Sequence, residues 1–352
     1  MGAAPDSRLP DTAPIVGSHA AAGARAGDRL TPLELPGWTE FNAWRTGLRV
    51  ERFLAEPAGG GQIRAVLYVD RRGHVLIPPN NPYLPLVFES ARQHPSGRTA
   101  EWFAAAEPLV DAMERHGVAN AITFPPEVTD VRPWQWRRFL VGVRYTYYLD
   151  FPFDAALMDR SARRQASRAT SLGLRVERTA GIDPVLECLT ATEARQGFSH
   201  RVGGRELGAA RSLLGDENLR MYVGYAADGR PASAMVVLHA PGARTIGWLA
   251  GTRADALASG VVHLVWRTAF DDLTAAGSTG IDLCGANIPS IAAFKSHWGA
   301  RLLPFFTVRS YSLRAGARFI ADWLGPGRRP HGPGVPGGAP HAPRESGEEG
   351  DT

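Results

Sequence analysis

Lysine is almost missing from this sequence of 352 residues. Lys295 is the only one, so arginine supplies all the others of the 39 basic residues. An arginine-for-lysine bias with abundant Ala, Gly and Pro indicates a GC-rich genome, which concerns codons and not function. The bias does single out Lys295, because its compact ammonium charge forms interactions that a planar guanidinium does not reproduce.

Cysteine and long apolar runs are also scarce. The two cysteines, Cys188 and Cys284, exclude a disulfide framework and fit a reducing compartment. No run of about 18 apolar residues occurs, so no membrane span is expected. The N-terminal residues include early acidic side chains and no continuous apolar segment, which argues against a secretion signal. We therefore expect a cytoplasmic protein.

Composition divides the chain into a folded body and two tails. Hydrophobic residues make up 44% of the chain, enough for the cores of two domains. Tails rich in Gly, Pro and charge are predicted to be disordered at 1–31 and 325–352. We expect a first domain at 32–150, a second at 151–310, and a C-terminal helix at 311–324 that packs back on the first domain.

Apolar periodicity places helices and strands in both halves. In the first half it predicts the strands Gln62–Val69, Val75–Ile77 and Ala121–Phe124 and the helix Glu101–His116. In the second half it predicts the helices Asp154–Leu172, Ile182–Arg195, Gly260–Ala276 and Ser290–Trp298 and the strands Leu174–Glu177, Leu219–Ala226, Ala232–His239, Thr245–Ala250, Gly280–Cys284 and Phe305–Ser310. We therefore predict a fold of the mixed α/β class.

Three segments carry unusual residue combinations. The first, Trp134–Tyr148, runs from Trp-x-Trp into Val-x-Tyr-Thr-Tyr. The second is a basic helix, followed by Gly173–Val176, that contains Arg160, Arg163, Arg164 and Arg168. In the third, Ile281–Gly285 (Ile-Asp-Leu-Cys-Gly) is followed by Phe294–Gly299 (Phe-Lys-Ser-His-Trp-Gly).

In this order, over about 32–310, these segments resemble the two-domain Fem-type transferases and related GNAT acyltransferases. The resemblance implies two GNAT-like domains, each with a mixed sheet flanked by helices. It also implies transfer of an acyl or aminoacyl group to an amine, with aminoacyl-tRNA favoured as the donor. Acyl-CoA is the alternative donor, and a non-catalytic GNAT-fold binding protein is a further alternative. The long helical-hairpin arm of the peptidoglycan-bridge enzymes is missing, which argues against a peptidoglycan acceptor.

The catalytic candidates are Lys295 and Asp282. The resemblance implies that the lysine of the Phe-Lys motif lies near the acyl centre and stabilises an oxyanion, a contribution of about 3–4 kcal/mol. The alternative is an exposed lysine on a short helix. Asp282 lies in a predicted buried strand and needs a partner, which Lys295, His297 or backbone N–H groups could supply. It would orient Lys295 or accept a proton from the amine, or serve only in structure. His263 and His297 are weaker catalytic candidates.

Two basic regions are candidates for donor binding. Arg253–Gly260 stands where acetyl-CoA enzymes carry Arg/Gln-x-x-Gly-x-Gly/Ala, but Ala256 replaces the first glycine and Asp255 adds a negative charge. Arg253 and Gly260 remain donor-binding candidates there, and the alternative is a plain surface loop. On the basic helix, helical spacing places Arg163 and Arg164 on one face, which could meet the phosphates of a tRNA or could simply be solvated.

The aromatic stretch offers candidates for an acceptor pocket between the domains. We expect Trp134, Tyr145 and Tyr147 to contact an amine of a small molecule or peptide, although such aromatics are more often core residues. The sequence shows no metal-ligand cluster and no Ser-His-Asp arrangement. We therefore expect no metal and no bound cofactor, only a co-substrate, aminoacyl-tRNA or acyl-CoA. The oligomeric state is not indicated.

Overall fold

The computed structural model describes residues 29–311 of the chain. The tails predicted at 1–31 and 325–352 and the helix predicted at 311–324 lie outside that range, apart from residues 29–31 and Tyr311. The helices are α1 (Pro36–Thr46), α2 (Pro95–His116), α3 (Arg132–Trp136), α4 (Arg160–Ser171), α5 (Asp183–Gln196), α6 (Gly204–Asn218), α7 (Val261–Ala275) and α8 (Pro289–Ser296).

Twelve strands and two short 3-10 turns complete the described elements. The strands are β1 (Arg49–Ala55), β2 (Gln62–Val69), β3 (Val75–Leu76), β4 (Leu86–Glu89), β5 (Ile122–Thr123), β6 (Leu140–Asp150), β7 (Arg175–Thr179), β8 (Leu219–Tyr225), β9 (Pro231–Leu238), β10 (Arg244–Thr252), β11 (Gly280–Asp282) and β12 (Arg301–Arg309). The 3-10 turns are Ala155–Leu157 and Ala254–Ser259.

The strands form two sheets. In the four-stranded sheet, β2 pairs with β1, β3 and β4, always antiparallel. The eight-stranded sheet has the order β5-β12-β6-β11-β10-β9-β8-β7 and is mixed, because β10 and β11 run parallel while the other described pairs are antiparallel. The predicted α/β class is therefore confirmed.

The eight-stranded sheet draws strands from both sides of residue 150. β6 and β5 precede that position in the chain, yet β6 lies between β11 and β12 near the middle of the sheet. The domain boundary at residue 150 stays a prediction. Strands from both sides of this position pair within the one eight-stranded sheet.

Helices cover both faces of the eight-stranded sheet, as alternating side chains of the same strands show. Met221 and Val236 pack in one core with α1, α5 and α6. Tyr222 and Val237 point the other way, into a core formed with α4, α7 and α8. A third core lies between the four-stranded sheet and α2. Burial on both faces explains why the strands of the second half read as nearly continuous apolar runs.

Some element boundaries differ from the prediction. The helix predicted from Asp154 begins at Arg160, because the Asp159 carboxylate accepts a hydrogen bond from the Ser161 N–H at 2.7 Å and caps it. The last strand begins at Arg301 rather than Phe305, since its whole length pairs with β6. Within residues 29–311, no helix is long and apolar enough to cross a membrane. No three His, Cys, Asp or Glu side chains of that range are grouped to hold a metal ion.

Candidate functional site

The parallel strands β10 and β11 are paired over only part of their length, near the centre of the large sheet. Their pairing ends at Ile246 and Asp282, while β10 continues to Thr252. The chain beyond β11 turns instead toward β6, where the Leu283 N–H donates to the Tyr147 carbonyl at 2.9 Å. The pairing ends at the carboxyl end of β11, and ligands commonly bind at this end of the strands in sheets of this kind.

Asp282 is the last residue of β11 and is fully buried. Its carboxylate accepts hydrogen bonds from the Tyr83 hydroxyl at 2.7 Å, the Thr146 hydroxyl at 2.5 Å and the Cys284 N–H at 2.8 Å. Burial raises the pKa of Asp282, and the three hydrogen bonds act in the opposite direction. Of the partners expected from the sequence, a backbone N–H is the one that binds it.

Lys295 lies in the last turn of α8 with 9% of its surface exposed. Its ammonium donates to the carbonyl oxygens of Leu283 at 2.7 Å, Gly285 at 3.4 Å and Cys284. Burial lowers the pKa of Lys295, while the nearby Asp282 carboxylate acts in the opposite direction. The structure thus brings Lys295 to the loop that follows Asp282. Among the described residues it forms no direct ion pair with that carboxylate.

The loop between Asp282 and α8 has an unusual backbone. Cys284 has a φ of 52° and Gly285 a φ of 55°, a region that side chains other than glycine seldom adopt. The bond from the Cys284 N–H back to the Asp282 carboxylate holds this turn. Burial raises the pKa of the Cys284 thiol well above its usual value, so this cysteine is not an activated nucleophile.

Arg253 and Gly260 have structural partners inside the loop before α7. The Arg253 guanidinium donates to the Pro231 carbonyl at 3.2 Å and to the Asp255 carboxylate at 3.1 Å. Gly260 has a φ of 81°, and a Cβ there would lie 2.1 Å from the carbonyl oxygen of Gln165 in α4. Close approach of α4 therefore requires this glycine, whether or not a donor binds beside it.

The arginines of α4 are exposed on the side opposite its buried face. Ala162, Ala166 and Ala169 are buried, and α4 packs against α7. The exposed basic residues are Arg160, Arg163, Arg164 and Arg168. Within residues 29–311, none of these four side chains forms an ion pair or a hydrogen bond, so their charges face solvent.

The structure separates the three aromatic acceptor candidates. Trp134 has no exposed surface, and its indole N–H points at the Met113 sulfur at 3.2 Å within the core beneath α2. Its indole therefore does not line an open pocket, contrary to expectation. Tyr145 is 44% exposed, and its backbone exchanges two hydrogen bonds of 3.0 Å with the Asn287 side chain. Tyr147 is half-buried on the same face of β6.

The two candidate histidines have different environments. His263 is stacked with Trp298, with ring centres 5.8 Å apart, and burial lowers its pKa. Its Nδ1 is buried without a hydrogen-bond partner among the described residues. His297 is exposed at the end of α8, and its carbonyl accepts the Asp159 N–H at 2.8 Å. His263 thus lies among aromatic rings, away from the Asp282 hydrogen bonds.

Comparison with known families identifies the second half of the chain. Residues 158–296 match the acetyltransferase (GNAT) domain family. They are a GNAT domain. It comprises α4 to α8 and β7 to β11, and so contains the parting strands, Asp282 and Lys295. The resemblance seen in the sequence is confirmed, and by class the chain is an acyltransferase.

Solved structures extend the likeness beyond the GNAT domain. A crystal structure of FemX has a TM-score of 0.56 at 13% identity, covering 83% of this chain and 94% of that chain. The C-terminal domain of a putative lysylphosphatidylglycerol synthetase from Agrobacterium fabrum has a TM-score of 0.50 at 14% identity, covering 80% and 91%. Both show a shared fold over most of the chain. No curated protein matches it in sequence.

Proposed function

We propose that this chain transfers an aminoacyl group from aminoacyl-tRNA to an amine acceptor and forms an amide. The observation that carries the donor assignment is the set of four arginines on α4 that have no partner in the described part of the chain, on a helix packed against the loop that starts α7. Acyltransfer is the class of the GNAT domain; the donor, the amine and a cytoplasmic location belong to the proposal.

The basic face of α4 adjoins the loop that starts α7. Backbone contact between Gly260 and Gln165 joins the two elements, and α4 also touches the 3-10 turn Ala254–Ser259. A helix N-terminus attracts anions, and one exposed guanidinium can donate two parallel hydrogen bonds to the oxygens of a phosphate. A polyanion that reached the α7 N-terminus would therefore lie along the arginines, as an acceptor stem with its row of phosphates could.

The loop itself favours tRNA over coenzyme A. The Arg253 guanidinium is engaged by Asp255, and the Val261 N–H at the start of α7 is taken by the Ser259 hydroxyl at 3.2 Å. Asp255 also brings a negative charge to the place where a pyrophosphate would approach. These contacts leave fewer free donors for a compact pyrophosphate than a glycine-rich loop would offer.

Acyl-CoA remains the second candidate donor, because the matched family is an acetyltransferase family. The name of the structurally similar lysylphosphatidylglycerol synthetase domain denotes a lysyl-bearing lipid, a product that carries an aminoacyl group.

With either donor, aminoacyl-tRNA or acyl-CoA, the amine attacks the donor carbonyl. The bond to the tRNA 3′ oxygen, or to the coenzyme A sulfur, breaks when the tetrahedral intermediate collapses.

The donor can be identified by direct consumption. The purified full chain is incubated with an extract of small amines and either radiolabelled total aminoacyl-tRNA or radiolabelled acetyl-CoA. We expect enzyme-dependent loss of label from tRNA and a new amide by mass spectrometry, abolished by prior ribonuclease treatment. Label leaving acetyl-CoA alone would replace the proposed donor, and label leaving neither would refute the proposal.

A further inference from the structure

Three consecutive peptide groups in the loop after β11 have the same orientation. The carbonyls of Leu283, Cys284 and Gly285 all accept hydrogen bonds from the Lys295 ammonium. In a trans peptide, the carbonyl of one residue and the N–H of the next point in opposite directions. The N–H groups of the following residues, from Cys284 to Ala286, therefore point away from Lys295.

Only the outer two of these N–H groups have acceptors in the described part of the chain. The Cys284 N–H donates to the Asp282 carboxylate at 2.8 Å, and the Ala286 N–H donates to the Tyr145 carbonyl at 3.2 Å. The Gly285 N–H lies between them, on an exposed residue, without an acceptor among residues 29–311. Its peptide group carries the Cys284 carbonyl, which accepts from the Lys295 ammonium, so the positive charge polarises this N–H toward stronger donation.

The geometry points to the Gly285 N–H as the group that binds the donor's carbonyl oxygen and the oxyanion formed from it. Lys295 is then a positioning residue that acts through the peptide group. This inference rests on the proposed acyl transfer. It also explains the single lysine, because an ammonium has three protons for three carbonyls and a planar guanidinium does not converge on them in the same way.

The position of Gly285 suits this role. It follows Asp282 by three residues, at the end of β11 where β10 and β11 separate. When the amine nitrogen attacks, the carbonyl π pair moves to oxygen, and the Gly285 N–H donates to that oxyanion. Collapse returns the pair and breaks the bond to the tRNA oxygen. The amine releases a proton to solvent, and the leaving oxygen takes one up.

An amide-to-ester exchange removes the Gly285 N–H, and it also weakens the Cys284 carbonyl as an acceptor from Lys295. Glycolic acid at position 285 keeps the backbone's freedom and should lower kcat on the order of 100-fold. KM should stay within about 2-fold, because the bond strengthens mainly in the transition state. Glycolic acid at Gly277 is the matched control, since this glycine also has a positive φ and its N–H donates to Thr274, at the far end of α7. Turnover of the 285 ester within about 2-fold of wild type would overturn the inference.

Lys295 variants separate positioning from direct catalysis. If Lys295 positions the loop, Lys295→Met should slow turnover and also accelerate hydrogen–deuterium exchange at the Cys284 and Ala286 amides. Lys295→Arg should rescue both only in part. Slow turnover with unchanged exchange would make Lys295 itself the oxyanion donor. If wild type consumes neither donor, the proposed function fails. The role of Lys295 in positioning the loop is then tested by hydrogen–deuterium exchange alone. Faster exchange in Lys295→Met supports that role, and unchanged exchange refutes it.

Discussion

The hydroxyl of Tyr83 donates a hydrogen bond of 2.7 Å to the carboxylate of Asp282, although 199 positions separate them in the chain. Tyr83 is 2% exposed and lies in the loop between β3 and β4, whereas Asp282 ends β11 inside the GNAT domain. The bond therefore ties a loop beside the four-stranded sheet to the strand that precedes the Lys295-bound loop.

Removal of the Tyr83 hydroxyl should destabilise the protein. Tyr83→Phe leaves one oxygen of the buried Asp282 carboxylate without its donor, a loss of about 1–3 kcal/mol. Urea unfolding followed by circular dichroism measures it. Tyr145→Phe is the control, because the Tyr145 ring is 44% exposed and its hydroxyl forms no hydrogen bond with the described residues. Equal stability of the two variants would show that the Tyr83 bond contributes nothing.

His239 should make stability depend on pH. Burial lowers its pKa from 6.5 to about 4, so the unfolded chain binds a proton more readily than the folded one. The contribution of neutral His239 to the free energy of unfolding is then fully present above pH 6.5. It is lost as the pH falls toward 4, by roughly 3 kcal/mol at most. His239→Gln should flatten that part of the urea-unfolding profile. A variant whose profile between pH 4 and pH 6.5 matches wild type would argue against this pKa.

Charge reversal on α4 should weaken tRNA binding. Arg163→Glu with Arg164→Glu places negative charge where phosphates are expected, and affinity should fall at least about 10-fold. Wild-type affinity should decrease steeply with salt. Arg71→Glu with Arg72→Glu, a neighbouring exposed pair on the β2–β3 turn, is the control. Filter binding with total tRNA measures all three proteins; salt-independent affinity would shift the assignment toward acyl-CoA.

Gly260→Ala should cost more stability than Gly229→Ala. Both glycines have a φ of 81°, so each variant carries similar backbone strain, on the order of 1 kcal/mol. At Gly229 an added Cβ meets nothing within 4 Å, whereas at Gly260 it would lie 2.1 Å from the Gln165 carbonyl. The extra cost at Gly260 should be roughly 1–3 kcal/mol by thermal or urea unfolding. Matching losses would mean that α4 and α7 are not packed so closely.

Local pattern predicted much of this fold. Alternation placed β2 at Gln62–Val69, as observed, because its core-facing residues are apolar and its bounds are turns. The helix α6 was missed, since Gly204, Gly208 and Gly215 lower its helical propensity and its packing against α1 stabilises it. At α1, Gly37 permits an approach to the Leu213 carbonyl that no sequence pattern reveals.

The sequence identified which residues lie at the site, but it did not predict the contacts that those residues form. The scarcity of lysine drew attention to Lys295, but its three carbonyl partners depend on backbone angles at Cys284 and Gly285 that only the folded loop shows. Aromatic residues in one run do not reveal their direction, so Trp134 was expected at a pocket and lies in the core. Trp134 lies in the short helix α3 and not in a strand, and the packing of α3 against α2 turns its ring into the core.

The position of β6 in the middle of the large sheet restricts how this chain could be recombined. A cassette cut at 158 and 296 would take the parallel pair β10–β11 without β6, and would leave β11 as a bare edge. It would also lose Thr146, one of the donors to the Asp282 carboxylate. The matched domain is therefore not a transplantable module, and gene fusions or domain swaps that preserve it must carry at least the chain from β6 to β12 together with the loop that holds Tyr83.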